Sequence, residues 1–81
     1  MFEEMNEKIS IIGLYKNCKF IPKMFFLKNR NMPVEEITLI NNIKDGLTKK
    51  RQYSVTSGNN VYRLIFNRDD ESWSLTGVYM G

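Results

Sequence analysis

Apolar and polar residues alternate along much of this chain with a period of two, the spacing of a half-buried strand. KISIIGLY (8–15) is β-branched and apolar and predicts a first strand. KNCKFIP (16–22) reads as a turn and an approach, with Pro22 suited to a strand start or edge because it has no N–H to donate. In KMFFLK (23–28), Phe25 and Leu27 share one face and Met24 and Phe26 the other. NRN (29–31) is a tight turn, since Asn tolerates positive φ. MPVEEITLINNI (32–43) breaks strict alternation, and an extra residue near Glu35–Glu36 would bring Val34, Ile37 and Leu39 to one side. KDG (44–46) turns the chain.

The C-terminal half alternates more cleanly. Over Lys50 to Ser57, Tyr53 and Val55 oppose Gln52, Ser54 and Thr56. After SGNN, the strand VYRLIF sets Tyr62, Leu64 and Phe66 against Val61, Arg63 and Ile65. NRDDES turns again, and SWSLTGVYM places Trp73 and Leu75 on one face. A bulge at Gly77 would then turn Val78 inward.

This pattern predicts an all-β fold, a small antiparallel six-stranded meander over residues 1–81 that forms a barrel or a strongly rolled sheet. Tyr53, Tyr62, Phe66 and Trp73 face its interior, each stabilising it by roughly 1.5–3 kcal/mol when buried. Residues 1–7 pair Phe2 and Met5 at helical spacing and are expected to be a short helix or frayed. An α+β alternative would make 34–45 a helix, with Ile37, Ile40 and Ile43 on one side. Pro33, the β-branched run and the adjacent Asn41 and Asn42 oppose it.

Eighty-one residues suit a single domain. The absence of any long apolar run excludes a membrane-spanning helix, and an acidic start, MFEEMNEK, is unlike a secretory signal. One cysteine, Cys18, allows no internal disulfide and points to a cytoplasmic setting.

Several residues in this order carry a resemblance: Pro22, Phe25, Arg30, Tyr53, Val55, Leu64, Trp73 and Leu75. Over roughly residues 22 to 78 the chain resembles a small bacterial β-domain of unknown function. That domain stands alone or is fused to DNA-repair-polymerase-like proteins. Leu27 stands where its pattern has tryptophan, and Asn29 where it has glycine. The resemblance implies a small β fold and no catalytic residues.

Chemistry is sparse. With no histidine, the usual neutral-pH base and most zinc sites are missing. Lys16 and Lys19 flank Cys18, which reads first as a turn residue. Asp69, Asp70 and Glu71 read as a solvated hairpin tip rather than a calcium loop. The adjacent Glu35 and Glu36 would face opposite sides of a strand. No cofactor, metal or catalytic residue is expected.

Two binding readings follow. The first is a protein interface, with a partner or a second copy, built from Met24, Phe26, Val61, Arg63 and Ile65 on otherwise outward faces. The second is a nucleic-acid surface. The net charge is +3, and the basic residues Lys16, Lys19, Lys23, Lys28, Arg30, Lys49, Lys50 and Arg51 lie apart from the acidic ends, with Phe26 or Phe20 as a stacking ring. The chain is thus expected to be a non-enzymatic interaction module of the bacterial cytoplasm, with nucleic-acid binding as the alternative.

Overall fold

Seven strands, not six, follow one another along the chain in the computed structural model, which describes residues 2–80. They are β1 (Phe2–Lys16), β2 (Lys19–Leu27), β3 (Arg30–Pro33), β4 (Glu36–Asp45), β5 (Thr48–Ser57), β6 (Asn60–Asn67) and β7 (Ser72–Met80). All pair antiparallel in one sheet of order β3-β2-β1-β7-β6-β5-β4. The additional strand arises because the stretch read as one strand from 32 to 43 is cut in two. Val34 and Glu35 leave β3 and carry the chain to β4 at the opposite edge of the sheet.

No helix forms among the described residues. Phe2–Glu7, expected to be helical or frayed, is strand. Phe2 pairs with Tyr79 and Glu4 with Gly77, so a distant partner overrides the local i, i+3 spacing; position 1 lies outside the described residues. The helix alternative for 34–45 also fails, because β4 pairs along its length with β5.

The sheet rolls onto itself without closing into a barrel. β1 pairs with β7 from Phe2 to Ile9 and with β2 from Ser10 to Lys16, so it turns the corner between two halves. Bulges flank that corner: the register shifts between Glu4 and Glu7 and again at Ile12/Gly13, where Gly13 faces Pro22. A Cβ on Gly13 would collide with the carbonyl oxygen of Ile21 and the ring of Phe20, so only glycine fits there. Pro22 is buried, and it sits beyond the reach of β3, which pairs only with Met24–Leu27, so its missing N–H forfeits no ladder bond on that side.

The rolled halves enclose the core: Phe25, Met32, Tyr53, Val55, Tyr62, Leu64, Leu75 and Val78. Phe25 of β2 and Tyr62 of β6 meet edge to face across it, ring centroids 5.2 Å apart. Val78 is buried as expected, though the unpaired residue that shifts the register is Thr76 and not Gly77. In β4 the bulge falls at Thr38, later than the expected Glu35–Glu36. It leaves Val34 and Ile37 against the core, while Leu39 and Ile40 both stay exposed. The Thr38 hydroxyl donates to the Ser54 carbonyl at 3.1 Å, which fixes the bulge.

Hairpin turns match their residues unevenly. Asn17 and Cys18 both take positive φ (53° and 63°), the type I′ pattern that matches strand twist. At the expected NRN turn, the positive φ falls on Lys28 (56°), while Arg30 and Asn31 already belong to β3.

Phe25 links the two halves with a fully buried ring. Phe25→Ala is expected to cost about 3–5 kcal/mol in urea unfolding, against well under half of that for the outward-facing Phe26→Ala.

Candidate functional site

The seam between the two sheet edges is bridged at one end and open at the other. Val34 N–H donates to the Lys23 carbonyl and Glu35 N–H to the Thr56 carbonyl, at 2.9 and 2.8 Å, so the link ties β2 to β5. Because β3 covers only Met24–Leu27, the first residues of β2 face the edge strand β4 across a gap. That gap is a cleft of about 430 Å³ with Cys18, Lys19 and Phe20 on one lip and Ile40 and Asn42 on the other. Arg51 and Tyr53 form its floor, and a smaller hollow of about 120 Å³ continues it toward Tyr15, Phe66 and Trp73.

Aromatic rings converge there. Trp73 is the hub, with centroids 4.9 Å from Phe66, 5.4 Å from Tyr53 and 5.6 Å from Phe20; Phe20 in turn meets Tyr15 at 5.3 Å. Tyr53 is buried, Phe20, Phe66 and Trp73 are half-buried, and Tyr15 is 77% exposed. The inward-facing rings of the C-terminal strands are therefore dry at Tyr62 and open to the cleft at Phe66 and Trp73. Arg51 Nε donates to Asn42 Oδ1 at 3.0 Å, which holds the guanidinium at the cleft.

The basic residues named from sequence do not form one face. Lys19 and Arg51 share the cleft, with Lys16 paired to Lys19 across the end of the hairpin. Lys23 is exposed at the β2 bulge. Lys28, at the opposite end, approaches Glu7 at 3.7 Å. Arg30 lies beside Glu35 in a shallow depression at the β2–β3 end. Lys50 approaches Asp45 at 3.6 Å on the outer face, and Lys49 is exposed.

The outward residues also divide. Phe25 and Tyr62 face each other across the core, so Met24 and Phe26 point away from Val61, Arg63 and Ile65 on the opposite side of the molecule. Arg63 is engaged internally. Its Nε donates to Thr76 Oγ1 at 2.9 Å, its Nη2 to the Thr76 carbonyl at 3.3 Å, and it lies 4.7 Å from the Phe2 ring. Gly77 leaves room for that ring, because a Cβ there would strike it. Ile65 lies in a polar hollow with Lys44, Gln52, Asn67 and Ser74.

Met24 and Phe26 belong instead to an apolar outer face on the β1–β2 hairpin. The register pairs Ile12 with Met24, Leu14 with Ile21 and Ser10 with Phe26, all outward. Ile12 is 56% exposed and Leu14 43%. Of this face only Met24 and Phe26 are legible in the sequence; Ile12, Leu14 and Ile21 are not, because an unbroken apolar run does not show which members face inward.

Asp70 caps its own loop: its Oδ1 accepts from the Ser72 hydroxyl at 2.6 Å and the Ser72 N–H at 3.0 Å. The hydroxyl first, and then the N–H, hold the carboxyl below the ordinary carboxylate range. Among the described residues no His, Cys, Asp and Glu side chains gather as a metal site.

Compared with known proteins, the chain matches no family model, no curated protein and no solved structure. The resemblance to the bacterial β-domain therefore rests on the eight residues that carry it.

Because the folded carboxyl of Asp70 has the lower pKa, its capping is complete above the ordinary carboxylate range and is lost as pH falls through the folded value. Ser72→Ala is expected to raise the Asp70 midpoint toward the ordinary value in a carboxyl NMR titration; an unmoved midpoint would exclude the hydroxyl as its cause.

Proposed function

We propose that the protein is a non-enzymatic interaction module of the bacterial cytoplasm, and that its outer β1–β2 face docks on a protein surface, a second copy of the chain first. The observation that supports this is the outward cluster Ile12, Leu14, Ile21, Met24 and Phe26. An antiparallel sheet ordinarily keeps one face polar when that face meets water. Here the inner face of the same hairpin already supplies Ile9, Ile11, Phe25 and Leu27 to the core. Both faces of β1–β2 are therefore apolar, and on the outer one Ile12 and Leu14 are exposed while Ile21, Met24 and Phe26 are half-buried. Contiguous exposed apolar surface of this kind marks interfaces. A two-fold contact fits it well, since self-complementary apolar faces need no matched charges.

The cytoplasmic setting rests on the single thiol. Cys18 is exposed, and the fold is held by its core without a disulfide.

The expected result in sedimentation velocity is a mass that rises toward that of a dimer with concentration. The double variant Ile12→Lys/Met24→Glu replaces a cross-strand apolar pair by opposite charges, which keeps the hairpin paired. It should remain monomeric with an unchanged circular dichroism spectrum. A wild-type protein that stays monomeric at every concentration tested would rule out self-association through this face.

A further inference from the structure

The open seam has chemistry of its own, separate from the outer face. Its lining combines half-buried aromatic rings with two cations, Lys19 and Arg51, and no carboxylate stands among the residues that line it. Asp69, Asp70 and Glu71 belong to the β6–β7 loop and do not enter the cleft. Neither cation is neutralised: Lys19 forms no ion pair among the described residues, and Arg51 uses its Nε on Asn42 while its Nη groups have no partner there. A fixed guanidinium with free Nη groups is suited to a phosphate fork. Rings that stay open to water beside such cations are suited to a planar base, since every base has a π-face to stack.

We propose that the seam binds a nucleobase with its phosphate. The base enters between Phe20 and Ile40 and stacks on the rings around Trp73, while Arg51 and Lys19 meet the phosphate at the lip. Cleft and hollow together are of a size that admits one nucleotide, within the range of small-ligand sites. The same chemistry is offered by a free nucleotide and by one unit of a single strand. An outlet toward the exposed Lys16 at the hairpin end would let a strand continue.

Trp73 is the chain's one tryptophan, so its fluorescence reports the site directly. Titration of the intact protein with nucleoside monophosphates and with a short oligothymidylate should quench it saturably. Tighter binding of the oligonucleotide, with log K falling against log salt by about 0.7 per phosphate contact, assigns the site to single strands. Equal affinity for both assigns it to free nucleotides, and either result supports the site. Tyr15→Ala, a change at a surface ring, should weaken binding about tenfold through lost stacking. Lys19→Ala should reduce the salt slope by about one contact. The site is overturned if neither ligand quenches Trp73, if both variants bind like the wild type, or if heparin, which has no bases, binds as tightly as the oligonucleotide. The Ile12→Lys/Met24→Glu variant leaves the seam intact and should bind nucleotide unchanged, which separates this site from the self-association surface.

Discussion

The transfer of β1 from one partner to another is the constraint on which the rest of the structure depends. At Ile9 its hydrogen bonds run to β7, and from Ser10 they run to β2. A single strand so shared bends the sheet, and bulges on either side of the transfer supply the added twist. Without that corner, β2 would extend flat beside β1, and Phe25 could not reach Tyr62. Gly13 is the point of least tolerance, because the backbone of Ile21 lies where a side chain would begin.

The same corner also decides which surfaces stay uncovered. A small sheet that rolls but does not close must leave something uncovered. Here the short β3 and the two-residue link Val34–Glu35 cover one end of the seam, and the other stays open above Tyr53 and Trp73. The strand that turns the corner also carries apolar side chains on both faces: Ile9 and Ile11 pack on the core, while Ile12 and Leu14 face out. The open cleft is thus a result of the same roll that encloses the core.

The strands whose alternation is complete were legible in the sequence. Tyr53 and Val55 face inward between polar Gln52, Ser54 and Thr56, Tyr62 and Leu64 flank the outward Arg63, and the Gly46 and Gly58 turns take positive φ. Legibility failed where the partner was remote. Phe2–Glu7 is strand only because β7 lies beside it, and no local signal announces that. The break in alternation at Glu35–Glu36 marks the end of β3 and start of β4, while the bulge itself lies at Thr38; the two irregularities look alike in a sequence. Of the site, the sequence singled out Lys19, Arg51 and Phe20 but grouped them with cations that the fold sends elsewhere. Which hairpin ends meet depends on the roll, and residue spacing within a strand carries no information about it. Arg63 shows the same limit: its place opposite Gly77 makes it a clamp on Phe2, a role only the cross-strand register reveals.

The β1–β7 pairing has a kinetic consequence. Every other neighbouring pair in the sheet is a hairpin between consecutive strands, cheap in loop entropy and fast to form. β1 on β7 joins opposite ends of the described chain, so it must await the largest closure in the molecule. The sheet thus consists of two meanders, β1 to β3 and β4 to β7, each closed by short turns and joined by that one long-range ladder. The expectation from this topology is that the β1–β7 ladder forms last, at the largest cost in loop entropy.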